Sequence, residues 1–190
     1  MEEKYRSKYR ISSPRLANWD YGPHGLYFVT ICTKDRVRYF GEIEMENEAQ
    51  GIASLHSSEI GKIAFDNWLQ IPQYHPYVEI DEFVIMPDHI HGILFINKPD
   101  KIVWESNKFG TQRNNLASII RGYKASVKKY STLNGIEFSW QPRYYDRVIR
   151  EEKEYVNIKD YIFNNPIQWS LNQDNLENLY NPSCELYIFI

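Results

Sequence analysis

The 190-residue sequence is poor in cysteine, and its two thiols, Cys32 and Cys184, lie far apart. Two distant thiols build neither a disulfide framework nor a cysteine-based metal knuckle. Also missing is any run of about 18 apolar residues, the minimum for a membrane-spanning helix. The opening MEEKYRSKYR lacks the apolar core of a signal peptide, so the expected location is the cytoplasm, with no membrane partner. Internal repeats and low-complexity segments are absent too. What the chain has in plenty is aromatic surface: five Trp, nine Phe and fifteen Tyr. A solvated disordered chain does not carry so much. At about 100 to 200 residues per domain, the length reads as one globular domain over residues 1–190.

A large net charge is lacking as well, since 22 basic and 25 acidic residues leave −3. Taken alone, that value argues against a nucleic-acid partner. Its distribution argues otherwise. Residues 101–150 hold ten basic residues against three acidic (+7), whereas residues 151–190 hold two against seven (−5). An ordinary solvated face would have the same composition, so the basic block marks a candidate surface only.

The order of elements follows from periodicity. Leu26 to Thr33 (LYFVTICT), preceded by Gly22, Pro23 and Gly25, reads as a buried strand. Glu42 to Gln50 reads as a surface excursion or short hairpin. Ser57 or Ser58 caps a helix to about Leu69, with Ile60, Ile63, Ala64 and Trp68 at helical spacing. Two strands, Val78 to Met86 and His89 to Ile96, are separated only by Pro87 and Asp88, which is hairpin spacing. Asn97 to Thr111 reads as a loop. A second helix, Asn115 to Tyr130, carries the apolar stripe Leu116, Ile119, Ile120, Tyr123 and Val127, with Arg121, Lys124, Lys128 and Lys129 on its other faces. Arg143 to Arg150 reads as a fourth strand. A third helix starts acidic at Glu151 and is expected to stop where Asn165 meets Pro166. The order strand, helix, strand, strand, helix, strand predicts an α+β, ferredoxin-like antiparallel sheet: a split βαβ with helices on one face and an added C-terminal helix.

Chemistry concentrates in MPDHIHGILFI. In a strand, residues two apart share a face, so His89 and His91 converge while Ile90 enters the opposite layer. Two imidazoles bind a divalent metal, but two ligands are too few, and a third must come from elsewhere. In DYIFNNPIQW, Tyr161 and Asn165 are spaced i, i+4 and share one helical face. Together these residues suit a metal-assisted phosphoryl-transfer site. Ligand chemistry alone favours Mn²⁺, Zn²⁺ or another transition metal over Mg²⁺.

At these residues the sequence resembles the REP-associated tyrosine transposases, within the single-tyrosine HUH superfamily. The matching stretches are DYGPHGLYFVTICTKDR from Asp20, IGKIAFDNWLQIP from Ile60, VEIDEFVIMPDHIHGILFI from Val78, SIIRGYKASV from Ser118 and WQPRYYDRVIREEKEYVNIKDYIFNNPIQW from Trp140. They set a core at about residues 20–169 with a tail at 170–190. Two positions depart from the family: Asp88 replaces the usual Asn of MPNH, and Arg147 replaces an expected His. The first alters the charge beside the metal, the second the DNA contacts.

The resemblance implies that His89, His91 and Asn165 hold Mg²⁺ or Mn²⁺ and that Tyr161 is the nucleophile. A phenol of ordinary pKa near 10 needs a bound cation or a base to attack at neutral pH. Attack would leave a 5′-phosphotyrosine and a 3′-hydroxyl, and the covalent bond would allow rejoining without ATP. The implied partner is single-stranded or hairpin DNA of repetitive palindromic elements, met at the nucleoid. Arg121 and Lys124 are the leading phosphate contacts, followed by Lys128, Arg113 and Arg147. Other readings are a site-specific HUH nickase or endonuclease and a domesticated hairpin-binding protein without turnover. Monomer and homodimer both stay open.

Overall fold

The structure, a computed structural model, describes residues 24–47, 52–98 and 115–173. The expected loop at 97–111 falls mostly outside them, as does Arg113. Four strands form one antiparallel sheet: β1 (Gly25–Cys32), β4 (Val78–Met86), β5 (His89–Ile96) and β6 (Tyr145–Ile149), in the spatial order β4-β5-β1-β6. Because β5 lies between β1 and β4, the connection from β1 to β4 is the predicted split βαβ. The acidic excursion is the separate hairpin β2 (Gly41–Asn47) and β3 (Ile52–Ser57).

Two helices cover one sheet face. In α1 (Glu59–Leu69), Ser58 caps the start by accepting from the Gly61 amide at 3.0 Å. Gly61, a weak helix former, is needed here: a Cβ at this position would stand 2.1 Å from the Phe40 carbonyl oxygen. A single turn, α2 (Ile71–Tyr74), follows. In α3 (Leu116–Leu133), Asn115 and Ser118 form a reciprocal cap, and the predicted stripe is buried. Ile60, Ala64 and Trp68 of α1 and Leu116, Ile119, Tyr123 and Val127 of α3 pack on Val29 and Ile31 of β1 and Ile90 and Leu94 of β5.

The last helix, α4 (Glu152–Gln173), covers the other face. Ile158 and Ile162 pack on Phe28, Ile93 and Ile149, each contributing about 1.5–3 kcal/mol. The expected stop at Pro166 is not observed, and the helix runs through it. An interior proline forfeits one backbone hydrogen bond and costs about 3 kcal/mol. Here α4 continues because its C-terminal half has the hairpin to pack on: it lies against β2 and β3, and the Ser170 hydroxyl reaches Met45 Sδ at 3.0 Å.

Candidate active site

The register of β1 and β5 sets His89 opposite Cys32 and His91 opposite Thr30, with both imidazoles on the α4 face. Ile90 enters the α1 and α3 core, as alternation demands. The two rings are 4.5 Å apart between centroids and each residue is at most 5% exposed. From α4, Tyr161, Asn165 and Trp169 recur every four residues, so one stripe of the helix faces the histidines. The Tyr161 hydroxyl stands 3.1 Å from His91 Nε2. Asn165 hydrogen-bonds to His89. The Trp169 ring lies 5.8 Å from that of His89, and the Arg38 guanidinium sits 5.6 Å over the indole. The four residues singled out from sequence thus meet at one place.

The shell around the histidines orients both rings and sets the tautomer of His89. His91 Nδ1 lies 2.8 Å from Thr30 Oγ1, and Phe28 stacks on the ring with centroids 5.5 Å apart. Thr30 and, at Nε2, Tyr161 are both hydroxyls able to donate or accept, so either neutral tautomer of His91 satisfies these contacts. His89 Nδ1 lies 2.6 Å from Asp88 Oδ1 and 3.4 Å from Arg36 Nη2. Both contacts cannot be hydrogen bonds to one protonated nitrogen. The shorter one, to a carboxylate, makes Nδ1 the donor, and any metal bond of His89 falls to Nε2.

Burial pushes the pKa of His91 well below the ordinary 6.5, and the neighbouring His89 and Arg36 push the same way. Burial also lowers that of His89, against the opposing pull of Asp88. Two neutral imidazoles plus an amide oxygen make a donor set that suits a divalent cation. Among the described residues, no group of three His, Cys, Asp or Glu could do so. Asn165 of α4 is the amide side chain that faces this histidine pair.

Arg121, Lys124 and Lys128, expected from sequence to contact DNA, lie on α3 rather than at this site. α3 belongs to the opposite sheet face. Lys124 Nζ donates to the carbonyls of Gln141 and Arg143 at 2.6 and 2.8 Å, and burial lowers its pKa to about 8. Lys128 Nζ donates to the Phe138 carbonyl at 2.6 Å. Both lysines tie α3 to the segment that leads into β6. Arg147 pairs with Glu154 of α4, and Arg121 is exposed on α3. Sequence reasoning missed Thr30, Arg36, Arg38 and Trp169. The first three depend on strand register and turn geometry. Trp169 was readable as the next i+4 step after Asn165, had the helix not been ended at Pro166.

The comparisons with known proteins agree with this architecture. No protein-family profile matches the chain. An uncharacterized protein of Haemophilus influenzae is 37% identical over 171 residues, covering 85% of this chain and 91% of its own length. A second protein of that organism, provisionally named a REP-associated tyrosine transposase, is 27% identical and covers 78% of this chain and 74% of its own length. The Escherichia coli REP-associated tyrosine transposase is 27% identical over 100 residues, covering 53% of this chain and 50% of its own. Among solved structures, a REP-associated tyrosine transposase bound to a REP hairpin superposes with a TM-score of 0.52 at 21% identity, covering 86% of this chain and 74% of that one. The fold is thus that of a transposase with a ferredoxin-like sheet. The chain is a homologue of proteins named REP-associated tyrosine transposases.

Proposed function

We propose that the protein is a DNA strand transferase that cleaves and rejoins single-stranded or hairpin DNA through a 5′-phosphotyrosine at Tyr161. The observation that carries this reading is the 3.1 Å approach of the Tyr161 hydroxyl to His91 Nε2, between residues 70 apart in sequence. His89, His91 and Asn165 hold Mg²⁺ or Mn²⁺. The bound cation supplies polarisation of the scissile phosphate and offsets charge developing on its oxygens.

The residues divide the remaining work. Tyr161 Oη attacks phosphorus, the bond to the 3′ oxygen of the preceding nucleotide breaks, and that oxygen leaves as a hydroxyl after taking up a proton. The phenolic proton passes to solvent or a base. A 3′-hydroxyl from another strand reverses the step and releases Tyr161, with no net loss of phosphodiester bonds. Phe28, stacked on His91, helps keep the imidazoles dry and neutral. Arg121, Arg147 and Arg113 offer phosphate contacts, while Lys124 and Lys128 contribute near the carbonyls that they already hold. The names of the relatives and the REP hairpin on the solved neighbour support repetitive palindromic DNA as the substrate class. Only Arg150 and Glu151 separate β6 from α4, and α4 seats its tyrosine at the histidines of its own chain, which supports catalysis in cis.

The test is incubation with labelled hairpin DNA and Mn²⁺, followed by denaturing electrophoresis. A protein–DNA adduct that Tyr161→Phe does not form is the expected result. Binding without an adduct across a panel of hairpins would replace this reading with a hairpin-binding module, and nicking without joining would replace it with a nickase.

A further inference from the structure

The two histidines are not equivalent. Thr30, a neutral hydroxyl, holds His91, whereas His89 is held by a carboxylate, Asp88, that is itself only 5% exposed. The second Asp88 oxygen lies 2.9 Å from Arg36 Nε. A buried carboxylate needs such compensation. Arg36 reaches it from an unusual turn: Asp35 and Arg36 are successive residues at φ of 52° and 56°, a region that L side chains rarely adopt. From the same turn, Arg36 Nη1 also lies 3.1 Å from Cys32 Sγ.

We propose that Asp88 is a positioning residue that fixes His89 as the Nδ1–H tautomer and strengthens its Nε2 as a donor, and that Arg36 cancels the charge of Asp88 toward DNA. This rests on the reading of His89 as a metal ligand. A carboxylate behind a ligating imidazole fixes the ring and raises its basicity. The same carboxylate, unpaired, repels the phosphate backbone that the site must admit. The pair thus supplies the metal with an anionic partner while presenting DNA with a neutral one, and the two functions separate by mutation with opposite signs.

The test measures two affinities for each variant: Mn²⁺ by the loss of the free-ion electron paramagnetic resonance signal, and a labelled DNA hairpin by anisotropy in EDTA. Asp88→Asn, nearly isosteric, is expected to weaken Mn²⁺ about tenfold with hairpin affinity unchanged or higher. Arg36→Gln is expected to weaken hairpin binding severalfold with Mn²⁺ affinity unchanged or higher, and Arg36→Lys to restore hairpin binding. Long-range ¹H–¹⁵N spectra of the metal-free protein should show His89 shifting from a single Nδ1–H tautomer to a mixture in Asp88→Asn. Wild-type Mn²⁺ affinity and an unchanged tautomer in Asp88→Asn would overturn the proposal. So would a parallel loss of both affinities in both variants, the mark of a merely structural pair. If the wild-type protein bound no Mn²⁺ while His89 kept its tautomer, the metal-ligand reading would fail instead.

Discussion

The two faces of the sheet are built from the same strands, yet they do different things. Under α1 and α3 the packing is mainly apolar, with Asp146 and Ser131 as buried polar exceptions and with Trp68 seated against Gly92, where a Cβ would stand 2.4 Å from the indole. Under α4 the face is divided: Phe28, Ile93, Ile149, Ile158 and Ile162 are apolar, and beyond them lie Thr30, Asp88, His89 and His91. One face spends its burial on stability. The other uses a small apolar patch to hold a helix, and the helix to deliver Tyr161 and Asn165. Chemistry and stability therefore fail separately when mutated, and each can be tested alone.

The largest expected effect is on the α4 face. Tyr161→Phe removes one partly exposed hydroxyl and should lower adduct formation by at least about a thousandfold, as loss of a nucleophile does, with the thermal midpoint nearly unchanged. Close behind, His89→Ala and His91→Ala should abolish cleavage and Mn²⁺ uptake while hairpin binding in EDTA persists. Cleavage at the wild-type rate would remove them from the metal site.

On the opposite face the order inverts. Trp68→Ala should cost about 3–5 kcal/mol in urea unfolding, the range for a large aromatic lost from a core, and activity should fall only with the folded fraction. Smaller is the effect of pH. The folded pKa values of His89 and His91 lie below 6.5, so the unfolded chain binds more protons below that pH. Their contribution is intact above pH 6.5 and is lost as pH falls toward the folded values. The urea midpoint should therefore drop on acidification below 6.5, and less steeply in His91→Gln.

The smallest contrast divides the basic residues. Lys124→Met should reduce stability by about 1–3 kcal/mol, because a charged donor leaves two carbonyls, with only a small change in the salt dependence of hairpin binding. Arg121→Gln should do the reverse, lowering the slope of log affinity against log salt by about 1.

Much of this was legible in the residues. Strands β4 and β5 end where Pro87 and Asp88 punctuate them, and the α3 stripe is buried residue for residue, since hydrophobic periodicity reports local geometry directly. The histidine pair and the tyrosine with its asparagine were also readable, because a period of two and a step of four are properties of single elements. Pro166 was misread, since local propensity says nothing of the hairpin that the helix goes on to meet. Composition also does not disclose that Lys124 and Lys128 hold the carbonyls at 138, 141 and 143.

By itself, then, the sequence determined the strand and helix order, the two faces of β5 and the pairing of Tyr161 with Asn165, all consequences of fixed backbone repeats. Only the tertiary structure decided that the two pairs meet at 3.1 Å, that Asp88 and Arg36 stand behind one histidine and Thr30 behind the other, and that α4 continues to Trp169. Apart from Asp88 and its neighbour His89, those contacts join residues tens of positions apart, and they arise from sheet register and packing, which no local spacing encodes.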